Sequence, residues 1–149
     1  MSDNMKKASA EALSHVLADT YFLYLKTHNF HWNVVGPRFR MLHEMFEEQY
    51  RDLWNALDGI AERIRALGEP APGTYAKFAK LATITENEEI PAADAMLAEL
   101  IADHRTLVAG LATAIRQAEE AGDAVTAGLL ADRQEFHEKQ IWMMQASLA

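Results

Sequence analysis

At 149 residues, half of them hydrophobic, the chain is sized for one domain, residues 1–149, with enough apolar material for a real core. The absence of cysteine excludes disulfides and thiolate metal sites, and no stretch approaches the run of about 18 apolar residues that a membrane span needs. A net charge of −8, from 22 acidic against 14 basic residues, repels the phosphate backbone, so nucleic-acid binding would need a local basic feature.

The opening MSDNMKKAS has two lysines but no apolar stretch behind them, so it does not read as a secretory signal, and the cytoplasm is the default compartment. Ser9 is placed to cap a first helix, with Glu11 in its opening turn. Leu13, Val16, Leu17, Tyr21, Tyr24, Leu25 and His28 follow at steps of three and four residues, which predicts a helix ending near Val34 at the Gly36–Pro37 turn. A second helix runs from about Arg38 to Leu67 on Met41, Met45, Leu53, Leu57, Ile60 and Ile64, and Gly68 with Pro70 ends it. The next stretch of about twenty residues is too long for an ordinary bundle loop and carries a short helix capped by Thr74. Pro91 stands where a third long helix begins, with Leu97, Leu100, Ile101, His104, Leu107, Leu111 and Ile115 as its stripe. A break at residues 119–123 precedes the last helix, which Asp123 is placed to cap.

Two tight turns and one long bridge predict two antiparallel hairpins joined by a crossover. The fold class is therefore all-α, a ferritin-like four-helix bundle with a short helix in the connection between the second and third helices.

Chemistry concentrates between His28 and Arg63. His31 ends the first helix, His43 and Glu47 share one face of the second, and Asp58 and Glu62 form another i,i+4 pair farther along it. Singly, each reads as an ordinary helix-surface or core-edge residue. Together, imidazole and carboxylate suit iron, manganese or zinc. His43 and Asp58 are fifteen residues apart, so on one continuous helix they stand about 22 Å apart and cannot share a metal within one chain. Two copies of this helix crossing antiparallel near residues 50 and 51 would bring them together, twice per dimer. A site within one bundle would draw on Asp103, His104, His137 and Glu138, but the Glu-x-x-His spacing of di-iron bundles occurs nowhere in the chain.

From about Ala12 to Leu148 the chain resembles the Dps-like miniferritins, the family first known as DNA-binding proteins from starved cells. The likeness is most specific over HNFHWNVVGPRFRMLHEMFEEQY and DLWNALDGIAERIRALG, and LADRQEFHEKQIWMM looks like the family's last long helix. The resemblance implies a ferroxidase centre of His31, His43, Glu47, Asp58 and Glu62, with the histidines on one subunit and the last two carboxylates on its mate. Glu47 stands where relatives often have aspartate. Trp32 looks like the family tryptophan that intercepts oxidising equivalents near the centre. The implied assembly is a hollow homo-oligomer of twelve subunits. The implied activity is oxidation of Fe²⁺ to Fe³⁺, with hydrogen peroxide favoured over dioxygen, storage of ferric mineral inside the shell, and protection against oxidative damage. Zn²⁺ is a competing metal.

Glu44 and Glu48, beside Glu47, are candidates for mineral nucleation, and Asp123 and Asp132 for the lining of symmetry-related pores. His15 and His28 read as packing or surface residues. The methionines suit a helical core, and no pair of axial ligands for haem is specified.

Family members that condense DNA commonly use a lysine-rich terminal extension. Here only Lys6 and Lys7 are available, and twelve copies at −8 each would carry −96. DNA binding is therefore expected to be weak or absent at physiological salt. The rival reading is a non-enzymatic DNA-compacting stress shell, and a monomeric di-metal oxidase is a third.

Overall fold

The computed structural model describes residues 1–149 as five helices with no strand: α1 (Asp3–Asn33), α2 (Phe39–Ala66), α3 (Tyr75–Leu81), α4 (Ala93–Glu120) and α5 (Ala124–Leu148). Helices α1 and α2 form one hairpin and α4 and α5 a second, with α4 also packed on α1, while α3 lies against α1 within the connection. This is the arrangement that the loop lengths predict. No helix is long and apolar enough to cross a membrane.

The ends of the helices follow local chemistry. Thr74 caps α3 by accepting from the Lys77 amide at 3.3 Å, and Asp123 caps α5 by accepting from the Thr126 amide at 3.0 Å, both as expected. Gly68 and Gly122 have φ of +94° and +72°, the left-handed geometry that closes α2 and α4 and that a side chain disfavours. The start of α1 departs from expectation. Ser2, not Ser9, is the cap: its hydroxyl accepts from the Met5 amide at 3.2 Å, and Asp3 occupies the first turn. Ser9 lies buried inside the helix, so Lys6 and Lys7 are helical and do not form a free tail. Good helix formers between residues 5 and 8 extend α1 upstream, and the hydrophobic stripe that begins at Leu13 does not register this.

Two apolar clusters fill the bundle. One, with Leu23, Phe30, Leu42, Phe46, Leu97 and Leu100, backs the α1–α2 turn; the other, with Leu13, Leu17, Ile60, Ile64, Leu111 and Leu130, fills the opposite end. The crossover is tied down by polar groups. Buried Asp19 accepts from the Thr83 amide and hydroxyl, each at 2.6 Å, and from the Ile84 amide at 3.0 Å. Lys26 donates to the Thr85 carbonyl at 3.0 Å and pairs with Asp103 at 2.8 Å. These bonds hold the connection beside α1 and leave the outer faces of α1 and α2 uncovered.

Candidate metal centre

The α1–α2 hairpin brings His31, in the last turn of α1, against His43, in the first turns of α2. Their rings stack with centroids 3.8 Å apart and planes 15° apart. Each is fixed by the other's backbone: Nδ1 of His31 bonds the His43 carbonyl at 2.7 Å, and Nδ1 of His43 bonds the His31 carbonyl at 2.7 Å. A carbonyl only accepts, so both Nδ1 atoms carry the hydrogen. Both Nε2 atoms of the neutral rings therefore present lone pairs, the tautomer and orientation that a metal ligand requires. Glu47, one turn farther along α2, reaches back until its Oε1 is 4.0 Å from Nε2 of His31. Its Oε2 accepts from Nε of Arg51 at 3.1 Å.

His28 forms the wall of this site more closely than its sequence spacing suggested. Its ring stacks on Tyr50 at 3.8 Å and 9°, lies 3.9 Å from Trp32 on the other side, and stands 5.9 Å from the His31 ring. Nδ1 of His28 bonds the Tyr24 hydroxyl at 3.0 Å. Burial, followed by the neighbouring His31 and Arg51, lowers its pKa, while Glu47 opposes them. The i,i+3 relation of His28 to His31 was the available signal, but only the aromatic partners from α2 give it meaning. Trp32 lies against His28 and is 60% exposed.

Asp58 and Glu62 are exposed on the same α2, which runs without a break from His43 past both, so the separation of about 22 Å along the axis holds. Within one subunit no three ligand-type side chains converge. Asp58 borders a cavity of about 220 Å³ with Trp54, Asn55 and Leu57. Glu44 is exposed and paired with Arg40 at 3.1 Å, while Glu48 and Asp132 are exposed. Asp123, a candidate pore carboxylate, is buried within the subunit. It is 3% exposed, with Oδ1 bonded to Arg63 at 2.8 Å and Oδ2 to the Thr126 hydroxyl at 2.5 Å. Burial pushes its pKa up, but Thr126 and Arg63 more than reverse this, and the carboxyl lies below its ordinary range. It is a helix cap and buried ion-pair partner.

Two further histidines form a separate pair. His104 and His137 are fully buried between α4 and α5, with their Nδ1 atoms 2.8 Å apart. No carboxylate bonds to either ring. A cavity of about 550 Å³ lies between the start of α1 and the end of α4, at the opposite end of α1 from His31. It contains one histidine, His15, whose Nδ1 bonds the Leu81 carbonyl at 3.0 Å.

Residues 10–149 match the ferritin-like domain of the ferritin family. The chain is 36% identical to the DNA protection during starvation protein of Brevibacillus brevis over 99% of each chain. The crystal structure of a Dps protein from Bacillus brevis superposes with a TM-score of 0.96 at 36% identity, covering all of both chains. The Dps protein of Vibrio cholerae O1, described as a member of a broad superfamily of ferritin-like diiron-carboxylate proteins, superposes with a TM-score of 0.96 at 30% identity, over 100% of this chain and 94% of that one. The hairpin that pairs His31 with His43 thus sits in a fold and a sequence that agree on their kinship: the chain belongs to the ferritin-like family, among its Dps proteins.

Proposed function

We propose that this protein is a ferroxidase and iron store that oxidises Fe²⁺, preferentially with hydrogen peroxide, at centres shared between subunits of a hollow shell of twelve copies. In this reading it keeps ferric mineral inside the shell and protects a cytoplasm from iron-driven oxidative damage. The observation that carries the reading is the reciprocal locking of His31 and His43, which presents two Nε2 lone pairs beside Glu47 and leaves the ligand set half complete. Asp58 and Glu62 of a reversed copy would complete it. The exposed faces of Trp32 and Trp54, at 60% and 55%, support an apolar surface between two such copies.

The donor set suits the substrate. Neutral imidazole binds Fe²⁺, and carboxylates favour the charge gained on going to Fe³⁺. Two ferrous ions give one electron each to one peroxide, which takes up two protons and leaves as two waters, so no hydroxyl radical is released. Trp32, lying against His28, stands where it would intercept a stray oxidising equivalent. Zn²⁺ would compete for the same donors. Glu44 and Glu48 would nucleate mineral, and Asp132 would line a pore.

Iron titration with and without peroxide, read together with particle mass, tests the proposal. His31→Gly with His43→Gly should slow peroxide-driven oxidation strongly while the shell persists; undiminished oxidation would place the centre elsewhere. DNA compaction has little support here, because Lys6 and Lys7 are built into α1. Tight DNA retention at about 0.15 M salt without iron oxidation would favour that rival.

A further inference from the structure

We infer that Arg51 is a positioning residue that holds the Glu47 carboxylate off the metal centre and so weakens the second of the two metal positions that delivering two electrons to one peroxide would require, which fills only when a metal competes the carboxylate away. The inference rests on the proposed centre at His31 and His43 and goes beyond it by assigning control of Glu47 to a residue outside the ligand set.

Glu47 is shared between two neighbours that want opposite things from it. Its Oε2 accepts from Nε of Arg51 at 3.1 Å, and its Oε1 is 4.0 Å from Nε2 of His31. Two adjacent donors on one octahedral metal lie about 2.1 Å from it and about 3 Å from each other. The carboxylate oxygen therefore stands about 1 Å beyond the spacing at which it would neighbour Nε2 of His31 on one metal. Its one methylene more than an aspartate gives it the length for both destinations. Arg51 is itself steered, with its guanidinium 5.5 Å from the Tyr50 ring, and Tyr50 stacks on His28 in the wall of the same site. A metal that takes Glu47 must break the Arg51 bond and also accept a cation one turn away. Both effects weaken binding, and both are moderated by solvent, since the Arg51 and Glu47 side chains are 64% and 41% exposed.

The test is a Co²⁺ titration of the assembled full-length protein, followed by the visible absorption of the bound ion, which reads occupancy without turnover. Arg51→Ala should bind the second Co²⁺ about three- to fivefold more tightly, with the first equivalent unchanged. Arg51→Lys, which keeps the charge at the same place, should stay within about twofold of the parent. On a Glu47→Gln background the effect of Arg51→Ala should shrink to the smaller part that the cation exerts by charge. An unchanged or weaker second Co²⁺ in Arg51→Ala overturns the inference, as does an undiminished effect on the Glu47→Gln background, which would mean that Arg51 acts by charge alone. His31→Ala separates this from the proposed function. If Co²⁺ binding survives that change, the centre itself is misassigned; if it is lost while Arg51→Ala behaves as the parent, only the role of Arg51 fails.

Discussion

Acid should loosen this protein through its bundle centre, and the His104–His137 pair sets both sign and size. Both rings are fully buried, their Nδ1 atoms share one hydrogen bond at 2.8 Å, and neither Nε2 has a partner. The charged group acting on both rings is Arg133 on α5, paired with Asp52 of α2 at 2.7 Å. Burial, with Arg133 adding repulsion, lowers the His104 pKa to about 3; burial, His104 and Arg133 lower that of His137 well below its ordinary value. The folded state therefore keeps both rings neutral where the unfolded chain, titrating near 6.5, would protonate them. Their contribution to stability is full above pH 6.5 and falls as the pH drops from there toward 3.

At pH 4.5 the unfolded chain is two units below its own histidine pKa. At about 1.4 kcal/mol per unit, His104 alone would cost the fold about 3 kcal/mol relative to neutral pH, and His137 adds in the same direction. The comparison is between the parent and a His104→Leu/His137→Leu variant, which removes both partners and leaves no orphaned donor. Calorimetric unfolding of the assembled particle, at one fixed protein concentration and at pH 7.5 and 4.5, gives the loss for each protein. Carboxylates such as Asp123 respond to acid in both proteins and cancel in the difference. The variant should lose about 3 kcal/mol less stability than the parent over that interval. Equal losses would refute the reasoning and place the acid response elsewhere.

Three other outcomes are expected. Subunits carrying His31→Ala/His43→Ala and subunits carrying Asp58→Ala/Glu62→Ala should each be inactive, yet co-assembly in equal amounts should restore about a quarter of the ferroxidase rate, because one site in four draws intact halves from both; no recovery would mean that the centre lies within one subunit. Asp123→Ala removes a cap and strands Arg63, and should lower stability by about 2–4 kcal/mol, read as a fall in the unfolding temperature. Trp54→Glu should weaken assembly, read as smaller particles by light scattering with helical content kept.

Much of the fold was legible because it is written in periodicity and punctuation. The stripes on α1, α2 and α4, the Gly–Pro break after Val34, and the caps Thr74 and Asp123 each act over one helical turn, and the long connection between α2 and α4 followed from counting residues. What failed depended on partners far away in the chain. Ser9 carries the right chemistry for a cap, but it faces the interior of a helix that Ser2 and Asp3 had already started. Asp123 was read as a cap, and it is one, but its bond to Arg63, sixty residues earlier, leaves no mark in local spacing. The crossed bonds of His31 and His43 join Nδ1 atoms to backbone carbonyls twelve residues away, so they exist only once the hairpin has closed. Spacing could nominate these histidines but could not show which nitrogen they offer.

The closed hairpin also explains why the two halves of the proposed centre sit so far apart. His31 and His43 are fixed by backbone bonds within one subunit, so their lone pairs are oriented before any metal or partner arrives, and little ordering entropy remains to be lost on binding. Asp58 and Glu62 are held by nothing but α2 itself, an unbroken helix whose stiffness fixes their distance from His43. With rigid halves at both ends of one rod, a reversed partner copy either matches both ends or neither, so the two centres of a pair would form together. Metal bound there would bridge subunits and stabilise the assembly by mass action, tying the integrity of the shell to the substrate it stores. A flexible break in α2 would uncouple the two centres, and the helix has none between Phe39 and Ala66.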